Sequence, residues 1–269
     1  MARQVLYSSV APVRPAAGYI GGKRQLAKTI IAMIEKIPHD TYAEPFVGMG
    51  GVFLRRRLVP KSEIINDRSG DVATFFRILQ RHYVPFMDML RWQLTGRQEF
   101  ERLKAANVST LTDLERAARF LYLQRTAFGG KVAGRNFGVD PMGARFNVAR
   151  LAPQLDDLHD RLAGVVIECL PWAEFIARYD RPGSLFYLDP PYWGGEADYG
   201  AGLFDRVEYE QMAKVLGGLR GRFILSINDV PQIRRIFAGF TLRPVRLTYP
   251  VSDRSNRAAA RELIITGPA

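Results

Sequence analysis

The most informative part of this chain is the stretch Ser184-Leu185-Phe186-Tyr187-Leu188-Asp189-Pro190-Pro191-Tyr192. The apolar run before Asp189 predicts a buried strand that ends at the carboxylate. Two consecutive prolines cannot continue a central strand, so the chain must leave the sheet at this point. Because ligands of open α/β sheets bind at the C-terminal ends of the strands, we expect a site here.

The groups that follow this strand suit a flat base that carries an exocyclic amine. The carboxylate of Asp189 can accept one N–H of the amine, and a backbone carbonyl of Pro190 or Pro191 can accept the other. The ring of Tyr192 can stack on the base. An ordinary polar turn with a buried tyrosine is the alternative, and the tetrapeptide alone does not exclude it.

The bulk composition indicates one large folded unit with a polyanionic partner. The chain has 269 residues, of which 47% are hydrophobic, enough for one large domain or a domain with a substantial insertion. Lys and Arg number 38 against 27 Asp and Glu, a net charge of +11. Residues 77–150 contain 13 basic and 6 acidic side chains, so most of the excess is concentrated there. This placement favours a binding face for a polyanion.

The lone cysteine, Cys169, excludes an internal disulfide and a cysteine-rich zinc site. A reducing compartment fits this cysteine usage. The sequence shows no signal-peptide pattern and no long apolar run, which predicts a cytoplasmic protein with no membrane association.

The order of apolar patterns predicts an α/β sheet with a mainly helical insertion in the first half of the chain. Strands are predicted at residues 41–46, 63–66, 165–169, 184–188, 223–227 and 263–266. Helices are predicted at residues 26–37, from about Val52, and at 72–79, 100–103, 114–122 and 151–162. Residues 112–115 form a capping-box pattern before the fifth of these. The glycine-rich stretch 126–147 lacks helical periodicity and predicts a functional loop or hairpin.

The first half also contains features of a cofactor site. The turn Phe46-Val47-Gly48-Met49-Gly50 joins a strand to the predicted helix and lets a ligand approach the backbone closely. It lacks the third glycine of a dinucleotide fingerprint and the Lys-Ser/Thr of a phosphate loop, which favours a cofactor with few or no phosphates. Asp67 ends the next strand, and its carboxylate can accept hydrogen bonds from both hydroxyl groups of a ribose. The alternatives are an ordinary turn at residues 46–50 and a helix cap at Asp67.

Tyr19-Ile20-Gly21-Gly22-Lys23 precedes the first predicted helix. A lysine is disfavoured at a helix N-terminus, where the dipole is positive. Lys23 therefore either extends into solvent or faces an anion such as a cofactor carboxylate.

Together these motifs resemble the α-group, Dam-like family of adenine-specific DNA methyltransferases. The matching segments, in chain order, are residues 19–23, 44–50, 66–67, 189–192 and 225–229, with the insertion before the fourth. The resemblance implies a Rossmann-like S-adenosylmethionine-dependent methyltransferase sheet. Residues 1–79 and 151–269 would form the catalytic domain, and residues 80–150 the target-recognition insertion.

The resemblance also implies the site residues and partners. The cofactor would be S-adenosylmethionine, the substrate double-stranded DNA, and no metal would be needed. The implied catalytic residues are Asp189, Pro190, Pro191 and Tyr192. The implied cofactor-binding residues are Tyr19, Lys23, Glu44, Phe46, Gly48, Gly50, Asp67, Trp172 and Asp189. The implied DNA-binding residues are Arg125, Lys131, Arg135 and Asn136.

Two of these assignments have explicit alternatives. Trp172 could instead be a core tryptophan at the helix start after Pro171. The basic residues of the loop could instead be solvated. The family's Asn-Gly segment appears here as Phe128-Gly129-Gly130-Lys131 in what looks like a longer loop, so the family's GATC target does not carry over.

The proposed chemistry frees the amine lone pair through hydrogen bonds to Asp189 and a prolyl carbonyl, and Asp189 stabilises the charge that develops on nitrogen. Cytosine N4 methylation is nearly identical chemically, although such enzymes more often carry Ser at the position of Asp189. Cytosine C5 methylation needs a nucleophilic cysteine in a Pro-Cys loop, which Cys169 does not provide. Glutamine methylation in proteins would prefer Asn at position 189. A catalytically silent DNA-binding protein on the same scaffold is the alternative from another class.

Overall fold

A computed structural model describes residues 7–19, 21–23, 25–138, 144–200, 202–248 and 259–268. The strands in these ranges are β1 (Ser8–Ser9), β2 (Thr41–Glu44), β3 (Leu58–Val59), β4 (Ser62–Asn66), β5 (Val166–Glu168), β6 (Ser184–Leu188), β7 (Arg222–Asn228), β8 (Phe240–Thr248) and β9 (Ala259–Pro268). The α-helices are α1 (Ala27–Ile34), α2 (Gly70–Arg81), α3 (Tyr83–Arg91), α4 (Arg97–Ala105), α5 (Asp113–Thr126), α6 (Val148–Arg161), α7 (Trp172–Tyr179), α8 (Val207–Gly217) and α9 (Pro231–Ile236). Short 3₁₀ turns lie at Phe53–Arg55, Val108–Thr110, Phe128–Gly130 and Glu196–Tyr199.

The central sheet has seven strands in the order β5-β4-β2-β6-β7-β9-β8. The first five are parallel, and β9 runs antiparallel to both β7 and β8. The chain builds outward from β2 to β5, then returns to the other side of β2 with β6. The C-terminal ends of β2 and β6 therefore flank the point where strand order reverses, which is where open α/β sheets bind ligands. This topology confirms the predicted fold.

The sheet is covered on both faces because its central strands are apolar on both sides. Every residue of β6 is buried, as expected for a central parallel strand. Tyr187 packs into a cluster with helices α1 to α6 on one face. Phe186 and Leu188 pack into a second cluster with α7, α8 and α9 on the other face. The period of two along the strand divides these side chains between the faces.

One predicted element differs in the structure, and one long strand was not predicted. The α-helix expected from about Val52 is only a 3₁₀ turn, Phe53–Arg55. It ends because Arg56 turns to extended backbone (φ −70°, ψ 146°) and buries its guanidinium 2.6 Å from the Glu63 carboxylate. Strand β8 was not predicted because it contains Pro244, which a sheet tolerates only in an edge strand such as this one.

The helices α3, α4 and α5, which lie in the predicted insertion, pack in the same hydrophobic cluster as Tyr187 of β6. Capping of α5 is as predicted, with the Thr112 and Glu115 side chains each bonded to the other's backbone N–H. The stretch after α5 closes as a hairpin, in which the Phe128 N–H donates to the Asn136 carbonyl at 2.8 Å. Within the described part of the chain, no helix is long and apolar enough to cross a membrane.

Candidate active site

A cavity of about 240 Å³ lies at the C-terminal ends of β2, β4 and β6. Among the residues expected from sequence, its lining includes Tyr19, Lys23, Glu44, Phe46, Gly48, Asp67, Asp189 and Pro191. The fold thus brings together residues from four separate segments of the chain, one before α1 and three at the ends of β2, β4 and β6. Gly50, Trp172, Pro190 and Tyr192 do not line this cavity.

The glycine turn after β2 is tied to the carboxylate after β4. The Gly48 N–H donates to Asp67 Oδ2 and the Ser69 N–H donates to Oδ1, each at 2.9 Å. Gly48 has a φ of 50°, and a Cβ there would lie 3.0 Å from the Tyr19 ring. Gly50 has a φ of 75°, a backbone conformation that favours glycine, and it does not line the cavity. Asp67 therefore acts as a cap for this turn and still faces the cavity, where burial raises its pKa to about 6.

The acid at the end of β2 is almost completely enclosed. Burial raises the pKa of Glu44 to about 8, so its carboxyl is largely protonated at neutral pH. The Tyr42 hydroxyl donates to Glu44 Oε1 at 2.5 Å. Glu44 thus contributes a neutral polar group to the cavity wall.

Lys23 and Asp189 form a buried ion pair between the first motif and the strand β6 motif. Lys23 Nζ lies 2.7 Å from Asp189 Oδ1, and Lys23 is 3% exposed. Ser226 Oγ also donates to Oδ1, at 3.3 Å. Among the described residues, none donates a hydrogen bond to Asp189 Oδ2. One oxygen of the carboxylate is therefore held by the protein, and the other remains open to a ligand.

The charge state of Asp189 is set by burial and by two neighbouring charges. Burial raises the pKa of Asp189 to about 6. The Lys23 ammonium and the Ser226 hydroxyl act to lower this pKa, and the Glu262 carboxylate acts to raise it. The carboxylate is largely ionised at neutral pH and becomes protonated as the pH falls through about 6.

A carboxylate from the last strand completes this cluster, and sequence reasoning missed it. Glu262 is 1% exposed, accepts a hydrogen bond from the Tyr192 hydroxyl, and has Oε2 4.0 Å from Lys23 Nζ. Lys23 Nζ donates to the Tyr192 hydroxyl oxygen at 2.8 Å. The available signal was an acidic residue directly before the apolar run at residues 263–265. Such a charge in a buried strand is rarely left without a paired group.

The loop after β6 is anchored by helix α8 and strand β7. The Tyr209 hydroxyl donates to the Pro191 carbonyl at 3.0 Å. Asn228 makes two hydrogen bonds with the backbone of Trp193, at 2.9 and 3.0 Å. Among the described residues, none donates to the Pro190 carbonyl. Of the two prolyl carbonyls considered from sequence, Pro190 is thus the one without a protein donor.

Tyr192 faces a second, adjoining pocket. This pocket is lined by Tyr19, Gly21, Gly22, Gly129, Tyr192, Asp198 and Tyr199. Four of these residues also line the first cavity. Gly129 comes from the insertion loop, so the insertion reaches the edge of this pocket. The two spaces suit two ligands held side by side.

Trp172 lies in the core beneath α8. It is 5% exposed and its indole Nε1 donates to Glu208 at 2.5 Å. The structure thus favours the core alternative for this residue. The aromatic wall of the cavity is provided instead by Phe46 and Phe204, whose ring centroids are 5.9 Å apart. Phe204 was missed because it follows a glycine-rich loop with no strand or helix pattern.

The four residues expected to bind DNA divide into two groups. Arg125 is half-buried and donates to the carbonyls of Ala16 (2.7 Å) and Arg145 (3.1 Å). Arg135 is 8% exposed and donates to Gln124 Oε1 at 3.2 Å. Lys131 and Asn136 are exposed. The two guanidinium groups hold the hairpin against the body of the protein, and the other two side chains face solvent.

Comparisons with known proteins agree with this arrangement. A family model described as D12 class N6 adenine-specific DNA methyltransferase matches residues 19–249. The type II methyltransferase M1.LlaDCHI of Lactococcus lactis subsp. cremoris is 25% identical, over 94% of this chain and 95% of that protein. The DNA adenine methylase of Vibrio cholerae serotype O1 is 25% identical, over 87% and 88% of the two chains. The DNA N-6-adenine-methyltransferase of Escherichia phage P1 is 26% identical, over 94% of this chain and 36% of that protein.

Proposed function

The chain belongs to the D12 class of N6 adenine-specific DNA methyltransferases, and on that premise we propose how its residues hold the two reactants. It is an enzyme that methylates adenine in DNA. We propose that S-adenosylmethionine occupies the cavity at β2, β4 and β6. The adjoining pocket at Tyr192 would receive the target adenine of double-stranded DNA. Cytosine N4 methylation is not favoured by the family match.

The residues of the cavity fit a nucleoside cofactor that carries few or no phosphates. Asp67 presents a carboxylate with lone pairs left for hydroxyl groups, because each oxygen accepts only one N–H from the turn. Gly48 keeps the turn free of a side chain beside Tyr19, because a Cβ there would lie 3.0 Å from the Tyr19 ring. Phe46 and Phe204 offer apolar faces to a flat ring. When bound, S-adenosylmethionine would supply the methyl group.

The observation that carries the catalytic proposal is the unequal use of the two oxygens of Asp189. Oδ1 is held by Lys23 and Ser226, so the carboxylate cannot rotate freely. Oδ2 is then placed to accept one N–H of the adenine amine, and the Pro190 carbonyl to accept the other. These bonds favour a pyramidal nitrogen with an available lone pair. As positive charge develops on that nitrogen, the fixed carboxylate stabilises it.

The target base must leave the duplex to reach this carboxylate. Tyr192 would stack on the base, with its hydroxyl fixed by Glu262 and Lys23. Holding the ring in place before the base arrives reduces the entropy lost on binding.

We further propose that residues 80–150 form the target-recognition insertion and that residues 1–79 and 151–269 form the catalytic domain. The excess of basic residues in this segment supports a role in DNA binding. The exposed Lys131 and Asn136 would contact DNA directly. Arg125 and Arg135 would contribute by shaping the hairpin.

The cofactor assignment is tested by calorimetry with S-adenosylmethionine. Asp67→Ala should weaken cofactor binding about ten- to a hundredfold, since a hydrogen bond to a charged group contributes roughly 1.5–3 kcal/mol. Asp157→Ala, an exposed aspartate of α6, serves as the control and should bind normally. If folded Asp67→Ala protein binds S-adenosylmethionine with wild-type affinity, Asp67 does not contact the cofactor and only caps the turn.

A further inference from the structure

Strands β8 and β9 carry two arginines at directly opposed positions. Arg246 pairs with Arg261 in the antiparallel register, and both side chains are exposed. Like charges directly opposite each other destabilise an antiparallel pair. Within the described residues, neither arginine has a carboxylate within ion-pair distance. The nearby Asp229 is held by Arg234 at 2.5 and 2.8 Å. Since no carboxylate in the described part of the chain forms an ion pair with Arg246 or Arg261, an external anion would suit their two exposed positive charges.

The register places this arginine pair at the catalytic edge of the sheet. Glu262, the residue after Arg261, pairs with Asn228 at the C-terminal end of β7 and bonds to the Tyr192 hydroxyl. The Asp229 N–H donates to the Arg261 carbonyl at 2.9 Å. Neighbouring strands lie about 4.8 Å apart, so the backbone of β9 is only about 10 Å from β6 across β7.

We propose that Arg246 and Arg261 bind the phosphate backbone of DNA next to the target adenosine. The inference rests on the proposed function, because it takes DNA as the substrate, and it adds a contact surface outside the insertion. Arginine is suited to this task because its planar guanidinium binds phosphate oxygens with two parallel hydrogen bonds. Binding of the DNA backbone beside the pocket would oppose the return of the extruded base to the duplex.

The proposal predicts a specific change in the salt dependence of DNA binding. Each lost phosphate contact lowers the slope of log affinity against log salt by about 0.9. Arg246→Ala and Arg261→Ala should each lower the slope by about this amount, and the double variant by about twice as much. Binding of S-adenosylmethionine should not change. Thermal stability should stay the same or rise, since the substitutions remove a repulsive pair.

Arg222→Ala is the matched control, because Arg222 is an exposed arginine at the opposite end of β7. Its slope should equal that of the wild type. If the double variant keeps the wild-type slope and affinity while the wild-type enzyme methylates DNA, the inference is overturned and the proposed function stands. If the wild-type protein neither binds nor methylates DNA, both are overturned.

Discussion

Lys23 Nζ lies 2.7 Å from Asp189 Oδ1, so the lysine of the first motif is paired with the proposed catalytic carboxylate. The sequence left two alternatives for Lys23, extension into solvent or an anion, and the structure shows an anion that belongs to the protein. The pair links the segment before α1 to the end of β6. It gives Lys23 a direct influence on the charge of Asp189, beside any contact with a cofactor.

Replacing Lys23 should shift the pH dependence of turnover upward. The amine acceptor must be ionised, so turnover falls as the pH drops through the pKa of Asp189, about 6. Lys23→Met removes the cation that lowers this pKa, so the acidic midpoint of the kcat profile should move to higher pH. The profile is measured with both substrates saturating. A midpoint that stays in place or moves lower would contradict the assigned role.

Replacing Glu262 should shift the same midpoint in the opposite direction. Its negative charge raises the pKa of Asp189, so Glu262→Gln should move the acidic midpoint to lower pH. The glutamine oxygen can still accept from Tyr192, which preserves that hydrogen bond. Glu208→Gln is the control, since Glu208 bonds to Trp172 outside this cluster. If Glu262→Gln and the control give the same pH profile, Glu262 does not influence the pKa of Asp189.

Loss of the Tyr209 hydroxyl should lower both the stability of the protein and its kcat. Tyr209→Phe leaves the Pro191 carbonyl without its donor, which should destabilise the fold by about 1–3 kcal/mol and loosen the loop. Tyr179→Phe removes a hydrogen bond to Glu168 away from the cavity and serves as the control. Thermal unfolding and kcat are measured for both. The account predicts that both variants lose stability and only Tyr209→Phe loses kcat; equal kcat in the two would contradict it.

The insertion loop should respond differently at its exposed and buried residues. Lys131→Ala should lower the salt slope of DNA binding by about 0.9 without loss of stability. Arg135→Ala should lower stability, because its guanidinium joins the hairpin to Gln124 of α5. Melting temperature, salt slope and the methylated sites found by modification-detecting sequencing provide the readouts. If Arg135→Ala keeps its stability and relaxes specificity at one base, Arg135 contacts DNA directly, as the resemblance implied.

The parts of the site that sequence could predict are those fixed by local pattern. Asp67 and Asp189 each follow a short apolar run, and parallel strands bring their C-terminal ends to one edge. The residues that sequence missed act across long separations. Glu262 on the last strand accepts a hydrogen bond from Tyr192. Tyr209 on α8 donates to the Pro191 carbonyl and leaves the Pro190 carbonyl without a donor among the described residues. No periodicity encodes such contacts.

The direction of individual side chains was the other feature that the sequence pattern could not predict. The positive charge of residues 77–150 was visible in composition. The inward direction of Arg125 and Arg135 depends instead on the Ala16 carbonyl and the Gln124 side-chain oxygen, which the folded chain brings near. Trp172 lies at a helix start, where its ring can turn to the cavity or to the core. The carboxylate of Glu208 on α8 fixes it toward the core.

The central claim is that Asp189 holds the adenine amine for methylation at N6. Purified enzyme is incubated with labelled S-adenosylmethionine and double-stranded DNA, and the digested nucleosides are separated. The account predicts labelled N6-methyladenine with the wild type. It predicts a rate at least ~10²-fold lower with Asp189→Ala, the scale of losing one preorganised electrostatic partner. Label in N4-methylcytosine, or a wild-type rate in Asp189→Ala, would contradict it.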